Sequence, residues 1–242
     1  MKNILNFRFI IYVLAGFILL SIGSQKNYAQ TVKKNTVRLG ADFYKIMNGK
    51  VYFDIKASSR VDKQNVDVAN INIIISNIIN EEEIDVGQVS TDMEGKARFT
   101  LENLNSITPD STGTYNVRFI FKGNDAFKKA SKITRFKNAN IEATLIKKDS
   151  INYIKASLFD ASTHTPLREQ LLNVQVQRLF RPLRIGPEYN STDENGTIIV
   201  SVEEDIPGVN GNLTFEVVLK DNDDYGTVKA LINAPIGVPI VD

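Results

Sequence analysis

Cysteine and tryptophan are absent from the 242-residue sequence, and histidine occurs once, at His164. Without cysteine there is no disulfide, no thiolate nucleophile and no cysteine-ligated zinc. A single histidine excludes multi-histidine metal centres and leaves only a Ser/His/Asp arrangement formally open. Neither a Gly-x-Ser-x-Gly elbow nor a phosphate-cradling Gly-x-x-x-x-Gly-Lys loop occurs. An excess of charge is also missing: 29 Lys and Arg stand against 28 Asp and Glu. A nucleic-acid binder carries a strong basic excess, so no nucleic-acid partner is expected.

Long hydrophobic runs are scarce. The one present, Phe9 to Ile22, follows Lys2 and Arg8 and leads through a polar stretch to Asn27-Tyr28-Ala29. That is the layout of a secretory signal peptide over residues 1–29, with cleavage after Ala29, or after Gly23 because Asn27 is bulky for its place. An uncleaved anchor is the other reading, but the run is shorter than the roughly 20 residues a spanning helix needs. Cleavage after Ala29 removes Lys2, Arg8 and Lys26, leaving 26 basic against 28 acidic residues and a net charge of −2. No transmembrane segment is expected in the mature chain, which would be periplasmic, cell-surface or secreted. It would be held together by packing alone.

What the chain has is alternation, and it has it twice. Tyr115, Val117, Phe119 and Phe121 alternate with polar or outward positions, and Leu213, Phe215, Val217 and Leu219 do the same. A period of two marks a strand with one buried face. Both runs end in a polar turn closed by an aromatic, at Phe127 and Tyr225. Ile55-Lys-Ala-Ser58 returns as Ile154-Lys-Ala-Ser157, and Thr91-Asp92 before Gly95 returns as Thr192-Asp193 before Gly196. Offsets near one hundred residues at separate landmarks indicate duplication.

Asn48-Gly49 reads as a hairpin turn with both residues at positive φ. Ile71 to Ile79 is rich in β-branched residues and reads as a buried strand. The expected fold is all-β: two tandem antiparallel β-sandwiches at 37–137 and 141–233, after a flexible lead at 30–36 and before a connector-like tail at 234–242. So short a linker suggests two sandwiches stacked end to end.

At Ser111-Thr-Gly-Thr-Tyr-Asn-Val117 the chain resembles immunoglobulin-like domains, in which a Tyr sits two residues before a core position on strand F. The Thr-Asp-x-x-Gly turns followed by alternating strands are similar to those of bacterial Ig-like and carboxypeptidase-regulatory-like domains of envelope proteins. The resemblance implies an Ig-like sandwich in an extracytoplasmic setting, with Tyr115 as a tyrosine corner. Leu213 stands at the matching place, so the second copy should lack that corner. Such domains serve as spacers, adhesive modules or docking parts, and the fold alone does not choose among them.

Candidate chemistry is sparse. His164 lies in the polar turn Asp160-Ala-Ser-Thr-His-Thr-Pro166 and reads as a solvated loop residue. Acidic runs at Glu81–Glu83, Glu203–Asp205 and Asp221–Asp224 read as solvated turns; paired carboxylates of a carbohydrate-active enzyme are the third-ranked alternative. Asp221-Asn-Asp-Asp224 offers hard oxygens for calcium but lacks an EF-hand pattern. Arg178-Leu-Phe-Arg-Pro-Leu-Arg184 departs most from the first copy, which has apolar and then acidic residues in the equivalent region. Arg178, Phe180, Arg181 and Arg184 form either a contact surface for an acidic partner or an edge strand with outward arginines, broken by Pro182. The expected function is a non-enzymatic binding, adhesion or scaffold module without cofactor or metal. Its partner would be an envelope protein or glycan, or the chain would serve as the spacer of a larger envelope assembly.

Overall fold

The alternating stretches form mostly antiparallel ladders in the computed structural model, which describes residues 34–203 and 205–240. The expected signal peptide and most of the lead lie outside the described residues. In the first half the strands are β1 (Val37–Ile46), β2 (Val51–Val61), β3 (Gln64–Asp67), β4 (Asn72–Ile79), β5 (Glu82–Ser90), β6 (Lys96–Leu101), β7 (Tyr115–Phe121) and β8 (Ala130–Phe136). The second half contributes β9 (Ala139–Lys148), β10 (Ile151–Asp160), β11 (Leu171–Val176), β12 (Leu183–Arg184), β13 (Asn190–Ser191), β14 (Thr197–Ser201), β15 (Pro207–Val209), β16 (Leu213–Asn222), β17 (Gly226–Ala234) and β18 (Val238–Ile240).

In the first half β2 lies between β1 and β6, facing a sheet of order β5-β4-β7-β8. In the second, β9-β10-β14 faces β11-β16-β17. Three strands opposite a C-F-G-like ladder is the immunoglobulin-like arrangement. Each pair of sheets encloses its own apolar core, one from Val37 to Phe136 and the other from Ala139 to Ala234.

The duplication extends to single hydrogen bonds. Thr91 Oγ1 donates to the Val68 carbonyl and accepts from the Ile71 amide. Thr192 Oγ1 does the same with Leu167 and Gln170. Asp92 Oδ1 accepts the amides of Glu94 and Lys96, and Asp193 Oδ1 those of Asn195 and Thr197. Such turns close locally because an Asp side chain can substitute for a backbone acceptor. The amide of Ala57 donates to Gly95 O, and that of Leu158 to Gly196 O. This last pair corrects the tetrapeptide match. Ala57 corresponds to Leu158, so Ile55 pairs with Ala97 as Ala156 pairs with Ile198, two residues from the alignment the sequence invites. A two-residue slip keeps every side chain on its face, which is why the tetrapeptide misleads.

The two cores are filled differently. Phe53, Phe119 and Phe136 are fully buried in the first. Phe43 stacks on Phe136 with ring centroids 3.7 Å apart. Ile154, Val217 and Ala234 occupy the matching places in the second core, which is mostly aliphatic, with Phe215 and Tyr225 as its buried rings.

The halves do not meet end to end. β1 pairs in parallel with β17, Tyr44 opposite Thr227 and Ile46 opposite Lys229, joining one sheet of each half into a nine-stranded sheet. Lys45 Nζ donates to Asn138 Oδ1 at 2.6 Å, Ala139 O at 3.0 Å and Asn140 Oδ1 at 2.6 Å. The Lys137 amide donates to Asp224 O, and the Met47 amide to Lys229 O. The linker is therefore held from both sides. Burial pulls the Lys45 ammonium down to about 8, while its three oxygen partners favour the charged form.

Two local expectations also change. In the first hairpin only Asn48 takes positive φ, because the loop closes through Ile46 N–H to Lys50 O and Gly49 N–H to Ile46 O. The C-terminal stretch adds β18, parallel to β15. Its prolines permit this because a two-stranded edge leaves amide positions unpaired.

Candidate contact surface

The arginine segment is built on the edge of the nine-stranded sheet. Leu172, Val174 and Val176 of β11 point into the core, fixing the register against β16. Gln175 Nε2 and Gln177 Nε2 both donate to the buried Glu216 carboxylate, at 2.5 and 2.7 Å. These bonds brace the base of the hairpin. The chain then turns back as β12, Gln175 opposite Arg184 and Val176 opposite Leu183. After two residues the pairing stops. Pro182 and Pro187 have no amide to donate, so a long edge strand cannot form.

At the tip Leu179 is 90% and Phe180 95% exposed. Arg178 Nη2 donates to Pro207 O at 2.7 Å, tying the stem to β15. Arg184 lies 3.5 Å from Glu188 Oε1, an exposed pair of little energetic weight. The side chains of Arg178, Arg181 and Arg184 line an open concavity of about 650 Å³ with Gln175, Pro182 and Leu183. The arginines thus sit at a sheet edge interrupted by Pro182, and they gather around one concave surface beside an exposed aromatic.

The sequence sets this segment against an apolar and then acidic region of the first copy; the strand pairing adds the residue-by-residue register. In β4 and β5, Ser76 pairs with Asp85 and Asn77 with Ile84. In β11 and β12, Gln175 pairs with Arg184 and Val176 with Leu183. Ile75 opposite Phe119 likewise matches Val174 opposite Val217. The two hairpins are therefore equivalent residue for residue. Leu179-Phe180 replaces Asn80-Glu81 at the tip, Arg181 replaces Glu82, Pro182 replaces Glu83 and Arg184 replaces Asp85. An acidic hairpin in one copy has become a basic, apolar-tipped hairpin in the other. The acidic counterpart is visible in the sequence, whereas which residue replaces which follows from the register at Ile75 and Val174.

The other candidates are dispersed. His164 is exposed in its turn at φ 57 and lies against Phe159 at a centroid distance of 5.9 Å. In the Asp221–Asp224 turn, Asn222 Oδ1 accepts the amides of Asp224 and Tyr225, as Asn124 Oδ1 accepts those of Ala126 and Phe127 in the first copy. Among the described residues no three or more His, Cys, Asp or Glu gather in a metal-holding group.

Beside this turn, the Tyr225 hydroxyl donates to Asp160 Oδ2 at 3.2 Å. Burial, and then the Asp160 charge, push Tyr225 up to about 12. Burial raises the Asp160 carboxyl, but donors from Ser162 and Thr163 outweigh it and hold the group below its ordinary range. Ser59, bonded to Thr36 O, occupies the equivalent of Asp160 in the first copy. The pair thus satisfies a buried acid. Tyr115 departs from the expected corner: its ring stacks on Phe136 at 5.1 Å, and no hydroxyl bond to backbone occurs among the described residues.

No family model and no curated protein matches the chain. Among solved structures it is similar to a tetra-tandem repeat from the extending region of a large adhesion protein, with 11% identity, a TM-score of 0.30, and 83% of this chain and 48% of the other covered. This chain therefore spans about half the length of that structure. It is also similar to the D0-D1 domain of intimin, with 17% identity, a TM-score of 0.28, and 84% and 97% covered. At identities and TM-scores this low, the chemistry of the surface itself has to decide what it contacts.

Proposed function

We propose that the protein is an exported, non-catalytic binding or scaffold module of the cell envelope, and that its basic hairpin is the surface through which it binds an acidic partner. One observation carries this reading. A braced hairpin presents a nearly fully exposed Leu179-Phe180 pair flanked by Arg178, Arg181 and Arg184. Aromatic and arginine side chains on a supported stem are the usual anchors of protein interfaces. The envelope setting rests on the signal-like segment at 1–29. A spacer role is the second reading, favoured by the continuous sheet that couples the halves.

Co-purification from an envelope extract tests the proposal. The protein should retain an acidic partner, and joint replacement of Arg178, Arg181 and Arg184 by Ser should abolish retention with the circular dichroism spectrum unchanged. Equal retention by the triple variant would rule out this surface.

A further inference from the structure

The two equivalent hairpins carry opposite charge at the edges of different sheets. β5 is the outer strand of the four-stranded sheet, and its hairpin exposes Glu81, Glu82, Glu83 and Asp85 around Ile84, itself 51% exposed. β12 is the outer strand of the nine-stranded sheet, with Arg181 and Arg184 exposed beside Leu179 and Phe180. Within the chain the hairpins leave each other alone: Glu83 is bonded to Arg118 of its own sheet, and Arg184 pairs with Glu188. Glu81, Glu82, Asp85 and Arg181 form no ion pair among the described residues.

Resting on the contact-surface reading above, we infer that the acidic partner of the basic hairpin is the β4–β5 hairpin of a second copy of this chain, so that the protein associates head to tail. Charge complementarity selects this occupant. Two acidic edges repel each other, as do two basic edges, and charged edges are how sheets avoid pairing with their own kind. Only the unlike combination is attractive. It brings a guanidinium cluster to a carboxylate cluster, and it sets Leu179 and Phe180 against Ile84, the one exposed large apolar side chain among the described residues of the acidic hairpin. Because donor and acceptor surfaces differ, the contact is heterologous, and each added copy leaves one free hairpin of each sign. The continuous sheet fixes the spacing between the two hairpins of a copy, as an extended assembly requires.

Sedimentation velocity on the purified protein tests this. The sedimentation coefficient should rise with protein concentration at low salt and return to the monomer value at high salt, since the attraction is screened. Replacing Arg178, Arg181 and Arg184 by Glu, or Glu81, Glu82 and Asp85 by Arg, should each weaken association by at least roughly tenfold through like-charge contact. Mixing the two charge-reversed variants should restore complexes that neither forms alone, a result that misfolding cannot mimic. A protein that stays monomeric at every concentration and salt would overturn the inference. If the triple Ser variant had nonetheless lost its envelope partner, the basic hairpin would stand as a contact surface with a different occupant. If retention were also unchanged, both proposals would fall. Association that persists in both charge-reversed variants would overturn the head-to-tail contact as well.

Discussion

Replacing Gly226 by alanine should destabilise the protein by about 3 kcal/mol and split its unfolding into two transitions. Gly226 opens β17 at φ +65, a conformation L side chains rarely adopt. An added Cβ would also lie 2.8 Å from the Phe43 carbonyl oxygen and 3.1 Å from its ring. Phe43 belongs to β1, so the clash falls on the seam where the first half's sheet joins the second's. The chain can relieve it only by moving β17 away, which breaks the pairing of Tyr44 with Thr227. The equivalent residue in the first copy is the exposed Lys128, where no such seam exists and φ is not positive. Lys128→Ala should therefore change stability by no more than about 0.5 kcal/mol. Urea unfolding followed by far-ultraviolet circular dichroism and tyrosine fluorescence reads both effects: coincident curves for the parent, separated curves for Gly226→Ala.

Phe53→Ala should cost about 4 kcal/mol. The side chain is fully buried, with ring centroids 5.6 Å from Phe43, 5.2 Å from Phe119 and 5.8 Å from Phe136. Truncation removes a ring from the middle of an aromatic cluster whose members come from both sheets. A small set of rigid rings fills such a hole poorly, so the cavity remains and its cost adds to the lost transfer energy. Calorimetry should show a correspondingly lower midpoint. A loss below about 1 kcal/mol would mean that the first core repacks freely and that the cluster is not its centre.

Much of the fold was legible because strand alternation is a local signal. Tyr115 to Phe121 and Leu213 to Leu219 each declare a buried face without reference to the rest of the chain, although Glu216 and Val218 on the other face of β16 are buried too, and the Thr91-Asp92 and Thr192-Asp193 turns close on their own side chains. The seam between halves was not legible. It depends on Tyr44 meeting Thr227 across a great sequence distance, and nothing in either strand's pattern specifies that edge. The tyrosine corner failed for a related reason: Tyr115 had a large aromatic neighbour, Phe136, on the adjacent strand, and stacking set its ring. The candidate contact surface was largely legible. Arg178, Phe180, Arg181 and Arg184 stood out by composition, as did the acidic character of the matching region, whereas the specific replacements of Glu82 by Arg181 and Asp85 by Arg184 emerge when the two hairpins are in register.

Hydrogen–deuterium exchange on the protein, free and with the partner retained from envelope extract, tests the binding role most directly. Amide exchange should slow across Arg178 to Arg184, and elsewhere only at Glu81 to Asp85 if copies also associate. Slowing confined to other segments, with the basic hairpin exchanging at the same rate bound and free, would contradict its assignment as the contact surface.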